Sequence, residues 1–466
     1  MELHEYAMYD AIGLRDLIAA GEVTPAEVEA VARQALDVAN AELNGLALPV
    51  FSPALDHAGD GPFSGVPFLI KDSGPMAEGV PFFLGSRSLQ GVVAQHDSDL
   101  MTRFRTAGLV TLGLTTVPEM ALSFSTESVK HGPTRNPWDL ERGVGGSSGG
   151  AAALVGLKPS RGRTPCGPDL GEAQFGMAYE FGLTRTVRDA AHLLDALEGP
   201  GVGDKYTAPP PPGRYADELG RGPGQLQVAV TTHAWSGVDV DPEVAAATVQ
   251  VGRMLEQMGH VVIDQSPVVD WGNVIQTMVT TGIAFFAAPL LMAPRQPDPN
   301  KMEAVTRQLL EEARVLSALD LVTAFNAQNR VTRSVGAFFA EHDLLVTPTL
   351  GQLPAPHGAL QYDIPDHTVT TWIESVFGYG PFTAVFNISG QPAISLPAGT
   401  QRQRTTDRCP ARRPVRPRRP SVPGRRSARE GHALERPHSP NVRGEALTAT
   451  PPARDGSRRR LRPSAP

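Results

Sequence analysis

Residues 226–263 constrain the fold more than any other part of the chain. Residues 226–231 are a short apolar run, 242–258 carry apolar positions at helical spacing, and Val261-Val262-Ile263 is a second apolar run. Two parallel strands in succession need a crossover of a dozen or more residues, usually a helix, so this order is that of a βαβ unit. The alternation recurs earlier. Gly65-Val66-Pro67-Phe68-Leu69-Ile70-Lys71-Asp72 reads as a buried strand that delivers Lys71 to its end, and a helix over about 97–107 precedes a strand over 109–114. Helices alternating with apolar strands predict a layered α/β fold with a largely buried sheet. Nearer the start, Thr24-Pro25-Ala26-Glu27 combines a hydroxyl cap, a proline at the first helical position and a glutamate at the third, so a helix begins there. Val28, Val31, Ala35 and Val38 give it one apolar stripe, and it is expected to end near Asn40. The proline run at 209–212 reads as a connector between two lobes, and no internal repeat is found.

With 41% hydrophobic and 20% charged residues, the 466-residue chain has enough apolar material for one large or two medium cores. Apolar runs such as 283–292 are interrupted by proline and small residues and fall short of the roughly 20 residues a bilayer span needs, so no membrane segment is expected. The N-terminus is acidic and lacks an apolar core, which argues against a secretory signal and for the cytoplasm. Two cysteines, Cys166 and Cys409, make a disulfide framework or thiolate metal site improbable, and the 12 histidines lack metal-ligand spacing, so no metal is expected. The net charge of −7 hides an asymmetry. Residues 401–466 carry 18 arginines against 5 acids, and the rest of the chain carries 24 basic residues against 44 acids. An acidic body gives no reason to expect nucleic acid as its partner. The tail has no Phe, Tyr, Trp, Ile or Met and abundant Arg and Pro, so it is expected to be disordered.

The segment Gly145-Gly146-Ser147-Ser148-Gly149-Gly150-Ala151-Ala152-Ala153 is the most informative for chemistry. A Gly/Ser run opening onto alanines bends tightly and exposes amide N–H groups and hydroxyls, which suits anions or oxyanions. On its own it reads equally as a flexible linker, as Lys71 on its own reads as a surface lysine at a strand end. Around it, in order, lie the strand ending in Lys71-Asp72, then Val117-Pro118-Glu119-Met120, Thr134-Arg135-Asn136-Pro137-Trp138, and Gly156-Leu157-Lys158-Pro159-Ser160-Arg161-Gly162-Arg163. Leu344-Leu345-Val346-Thr347-Pro348-Thr349 and Phe386-Asn387-Ile388-Ser389-Gly390-Gln391-Pro392-Ala393-Ile394-Ser395 follow. This set resembles the amidase signature family over about residues 10–400, with particular likeness to bacterial members that act on linear or cyclic amides such as nylon oligomers.

The resemblance implies the amidase signature fold, a mixed twisted β-sheet sandwiched by helices, and hydrolysis of carboxamides through an acyl-enzyme without cofactor, with a small-molecule amide as partner. It implies a Ser-cisSer-Lys triad in which a buried neutral lysine takes a proton through a serine on a cis peptide bond. Lys71 matches the catalytic lysine, Ser147 the cis serine, and Ser148 is the neighbouring hydroxyl, whose blander role is to cap the helix that follows. The sequence then departs from the family. Members continue the Gly/Ser run with an alanine-rich helix and a loop of the form G-S-D-x-G-G-S-I-R-x-P, which holds the nucleophile and the oxyanion amides. Here Gly150-Ala151-Ala152-Ala153 passes straight into Leu154-Val155-Gly156, and no other loop of that form exists in the chain. The nucleophile is therefore unassigned, the fold is expected to be incomplete in its central layer, and residues 1–400 are read as an amidase domain with an internal deletion near 150–154. Two readings stand: a damaged or mistranslated gene, or a shortened homologue, an amidase-like binding protein that no longer hydrolyses amides. The arginine-rich tail, beginning where members have a strand and a last helix, favours an altered reading frame over a nucleic-acid-binding arm. Cys166, in Thr164-Pro165-Cys166-Gly167-Pro168, reads as an ordinary thiol in a turn, and Trp138 as a packing anchor.

Overall fold

Thr24 caps its helix as the sequence predicts. Its Oγ1 accepts the Glu27 N–H while Glu27 Oε2 accepts the Thr24 N–H at 2.8 Å, and Pro25 opens helix α1 (Pro25–Leu43). The helix runs past Asn40, because the Asn40 Oδ1 accepts the Gly45 and Leu46 N–H groups beyond its end and Asn44 closes it in the left-handed region at φ 53°. Val28, Val31 and Ala32 are buried, whereas Val38 is 59% exposed and lies off the stripe the sequence suggests. The computed structural model describes residues 1–151 and 155–399, so the expectations for the tail at 401–466, Cys409 included, lie outside the described residues.

Strand β1 (Val66–Lys71) is joined by helix α2 (Asp99–Thr106), capped by Ser98, to strand β2 (Leu109–Thr115), and the two strands pair in parallel with Lys71 opposite Thr115. Every residue of β2 is buried, as a strand covered on both faces should be. Phe63, Ile70, Leu100, Met101, Phe104 and Leu114 form the core beneath, with the Phe68 and Phe104 rings 4.7 Å apart. This cluster fixes the backbone that ends at Lys71.

Strand β3 (Val155–Lys158) runs antiparallel to the short β4 (Leu183–Thr184). The expected βαβ unit is present: β5 (Gln227–Val230), helix α3 (Pro242–Gln257) and β6 (Val261–Asp264), with Gln227 opposite Val261 in parallel register. After helices α4 (Trp271–Leu291) and α5 (Ala318–Phe338), strand β7 (Leu344–Val346) adds to the other side of β5. Helices α6 (Val369–Tyr379) and α7 (Thr383–Ser389) lead to β8 (Ala393–Ser395), which pairs antiparallel with β3. The content is mixed α/β, and among the described residues the strands fall into separate ladders, β1–β2, β6–β5–β7 and β8–β3–β4, beside two small hairpins. A second, helical core joins α4 to α7 through Val274, Ile283, Leu309, Val335, Trp372 and Val385.

Three expectations need correction. Helix α4 is, by length and composition, long and apolar enough to cross a membrane, because Pro289 falls in its last turn and does not split it. In this fold Val274, Met278 and Ile283 on that helix pack into the helical core, and Thr277 Oγ1 lies 3.4 Å from the Ala324 carbonyl of α5. Residues 209–212 do not link lobes: Met1–Ala398 fall in one compact unit, and Arg163 holds the Pro209 carbonyl at 2.6 Å. Trp138 is 85% exposed at a hairpin tip, its N–H donating to Asn136 Oδ1, so it anchors nothing. Phe104→Ala is expected to lower the urea-unfolding free energy by about 3–5 kcal/mol. Trp138→Ala should leave it within about 0.5 kcal/mol, and a loss comparable to that of Phe104→Ala would restore the anchor reading.

Candidate functional site

Lys71 leaves the end of β1 and its Nζ donates to Ser147 Oγ at 2.9 Å. The serine is held from the other side by a loop that packs backbone against backbone. Thr126 Oγ1 donates to the Gly145 carbonyl at 2.9 Å, the Gly146–Ser147 peptide is cis, and the Gly150 N–H donates to the Thr116 carbonyl just past β2. A Cβ at Gly149 would lie 2.2 Å from Thr126 Oγ1 and one at Gly150 2.3 Å from the Gly45 carbonyl, so these approaches require glycine. Ser148 lines the same cavity as Ser147 and Lys71. Its carbonyl accepts the Ala151 N–H in a single 3₁₀ turn, Gly149–Ala151, and the next described element is β3, so the helix Ser148 was expected to cap is not among the described residues.

Burial lowers the pKa of Lys71 to about 8, against the opposing pull of Glu180 and Asp72. Asp72 is fully buried and its pKa is pushed up to about 6 by burial, although its oxygens accept the Phe83 N–H at 2.6 Å and the Gly85 N–H at 2.9 Å. His131 Nε2 stands 4.0 Å from Asp72, and burial followed by the nearby Lys130 lowers its pKa to about 4, so the imidazole is neutral at neutral pH. Sequence reasoning missed Glu180. Burial pushes its pKa up to about 7, with Lys71 opposing, and its Oε1 lies 2.4 Å from where a Cβ on Gly74 would be. Gly74 closes a turn on Lys71 by donating its N–H to the Lys71 carbonyl, so a glycine there leaves room for the carboxyl beside the amine. No motif surrounds Glu180, and only the bare glycine after Lys71-Asp72-Ser73 hints that something must pack there.

These groups border a cavity of about 1810 Å³ whose wall includes Phe124, Met278 and Phe377. Lys158 also lines it, 4.0 Å above the Tyr179 ring, with a pKa lowered to about 7 by burial and by Arg161. Cys166 is partly buried and burial raises its thiol pKa, which leaves it protonated. Among the described residues no group of three His, Cys, Asp or Glu side chains is placed to hold a metal.

A lysine of lowered pKa bonded to a serine hydroxyl in a Gly/Ser loop is a pair able to exchange a proton. The chain belongs to the amidase family, whose model, Amidase, matches residues 30–156 and 153–415. Members of the amidase signature family are hydrolases acting on amides. The 6-aminohexanoate-cyclic-dimer hydrolase of Paenarthrobacter ureafaciens is 31% identical over 441 residues, which covers 84% of this chain and 88% of that one. A Mycobacterium leprae (strain TN) protein named AmiC is 32% identical over 432 residues, covering 83% of this chain and 87% of its own. A solved structure of 6-aminohexanoate cyclic dimer hydrolase superposes with a TM-score of 0.78 at 30% identity, over 86% of this chain and 91% of that chain. A bacterial aryl acylamidase shares the fold, with a TM-score of 0.73 at 21% identity over 84% and 90% of the two chains. The two matched stretches of the family model meet at 153–156, where Ala151 leads into β3.

The buried pair leaves a signature in stability. Between about 8 and 10.5 the unfolded chain binds the Lys71 proton and the fold does not, so this group makes stability rise with pH in that window. Between 4.5 and about 7 the fold keeps the Glu180 proton that the unfolded chain releases, so this group makes stability fall as pH rises. In urea titrations from pH 4 to 10, Lys71→Met is expected to flatten the upper slope and Glu180→Gln the lower one. Curves parallel to the wild type throughout would show that neither group is held as described.

Proposed function

We propose that this chain is an amide-binding member of the amidase family that keeps the base and relay serine of the hydrolytic site and turns amides over near the background rate. The observation that carries the reading is the 2.9 Å bond from Lys71 Nζ to Ser147 Oγ, made by an amine whose pKa is about 8. At neutral pH a useful fraction of such an amine is neutral, and it can draw the proton from Ser147, which in turn can deprotonate a nucleophile or an incoming water. Serine-based acyl transfer of this kind needs no metal or organic cofactor. The substrate class is a small carboxamide, linear or cyclic, in line with the relatives named for 6-aminohexanoate cyclic dimer.

The limit on turnover comes from the junction after the Gly/Ser run. The glycine-rich loop that holds the nucleophile in the family has no counterpart between Ala151 and Val155, and residues 1–400 are proposed as the family domain with that segment deleted. Losing one oxyanion donor costs about 10²–10³ in rate, and losing the nucleophile as well leaves only what a Ser147–Lys71 dyad assisted by Ser148 can do. A cavity of about 1810 Å³ supports this reading, being larger than the roughly 300–1000 Å³ of ordinary ligand sites, as expected if a covering segment is gone. The tail at 401–466 is proposed to be an altered reading frame, and the compartment the cytoplasm.

The test compares turnover of small aliphatic and aryl amides by the full chain, by Lys71→Ala, and by a chain with a family-type loop inserted after Ala151. Background rates for the first two and a rise of about 10² or more in the third are expected. Robust turnover by the unaltered chain that disappears in Lys71→Ala would mean that another serine has taken the nucleophile's place.

A further inference from the structure

Arg87 lines the same cavity as Lys71 and Ser147, on the loop that follows Gly85. It is held in place from both sides: Ser86 is fully buried, and its hydroxyl lies 2.8 Å from that of Ser88. The guanidinium Nε is buried with no hydrogen-bond acceptor, and Arg87 forms none of the ion pairs present among the described residues. The apolar side chains of Leu84, Met120, Leu122 and Phe377 line the same cavity. A guanidinium Nε buried without an acceptor is costly, and a planar carboxylate is the group the fork of donors fits best.

Two acidic side chains lie close enough to feel Arg87, and each has one oxygen engaged elsewhere, while Glu119 Oε2, like Arg87 Nε, is buried without a hydrogen-bond partner. Glu119 Oε1 accepts the Glu303 N–H at 3.0 Å, and Glu303 Oε1 accepts the Val129 N–H at 2.7 Å. Burial raises both carboxyls, and the neighbouring Glu119 raises Glu303 further, to about 8. Glu303 is then uncharged at neutral pH, and Glu119, fully buried and facing it, is pushed the same way. Neither makes a hydrogen bond or an ion pair with Arg87 among the described residues.

We propose that Arg87 is a carboxylate-binding group in the cavity, and that the preferred ligand is an amide that also carries a free carboxylate, such as an N-acyl amino acid. This rests on the reading of the cavity as an amide site. The carboxylate sits on Arg87 against the apolar wall, and the amide lies toward Ser147 and Lys71. The experiment is a calorimetric binding comparison at pH 7 of N-benzoylglycine with its neutral counterpart N-benzoylglycinamide, a readout independent of turnover. The full chain is expected to bind the carboxylate about tenfold or more tighter than the carboxamide, the effect of one charge-assisted hydrogen-bonded pair. Arg87→Gln and Arg87→Met should lose that preference while their affinity for the carboxamide stays within about twofold, and Arg87→Lys should keep part of it. A preference that survives in Arg87→Gln, or equal binding of the two ligands by the full chain, overturns the assignment and leaves the amide site standing. Binding of neither ligand overturns both. A large gain in carboxylate affinity in Glu119→Gln would mean that Arg87 is already neutralised by Glu119, and it too overturns the assignment.

Discussion

The site depends on one amine kept out of water at the end of a parallel strand. Lys71 owes its place to the pairing of β1 with β2 and to the cluster of Ile70, Phe104 and Leu114 under it, contacts that have nothing to do with chemistry. The residue after it, Asp72, is tied by the Phe83 and Gly85 amides, so the chain cannot swing the lysine toward solvent without breaking buried hydrogen bonds. Ser147 is positioned from an independent direction, by a loop that rests on the Thr116 carbonyl and is bonded by the Thr126 side chain. The 2.9 Å contact is thus the meeting of two separately supported pieces of backbone, which is the condition for a preorganised acid–base pair.

Electrostatics around that pair are a compromise. Desolvation alone would push Lys71 lower still, and Glu180 and Asp72 pull it back. If both carboxyls were fully ionised the lysine would be a plain buried cation in an ion pair, useless as a base. Their own pKa values are raised to about 7 and about 6 by the same burial, so around neutrality protons are distributed over the cluster and the amine keeps a neutral population.

How much of this was legible in the sequence depends on the range of the interaction. Local rules placed the Thr24 cap, the βαβ unit and the strand that ends in Lys71, because caps, periodicity and crossover length act over a few residues. Ordered motifs brought Lys71 and Ser147 together as a pair. Glu180 and Arg87 were not legible, since what makes them notable is a packing partner or its lack, set by segments far away in the chain. Trp138 misled because size suggests burial, whereas its position at a hairpin tip decides the matter. Helix α4 misled because Pro289 reads as a breaker, yet it stands only two residues before the helix ends.

The junction after the Gly/Ser run bears most heavily on what the protein can do. An oxyanion site needs backbone N–H groups that are free and aimed at the substrate. Two amides of the Gly/Ser run are already engaged, the Gly150 N–H with the Thr116 carbonyl and the Ala151 N–H with the Ser148 carbonyl. Beyond Ala151 the chain has three residues before β3, so Ala151 and Val155 can be at most about 15 Å apart even when fully extended. β3 is then locked in antiparallel ladders with β8 and β4, Gly156 facing both Ser395 and Leu183. A connection that short between two anchored elements leaves no length for a loop to turn back over the Lys71–Ser147 pair. What the described residues do supply is a walled cavity with the Lys71–Ser147 pair at its border, which is what ligand binding requires.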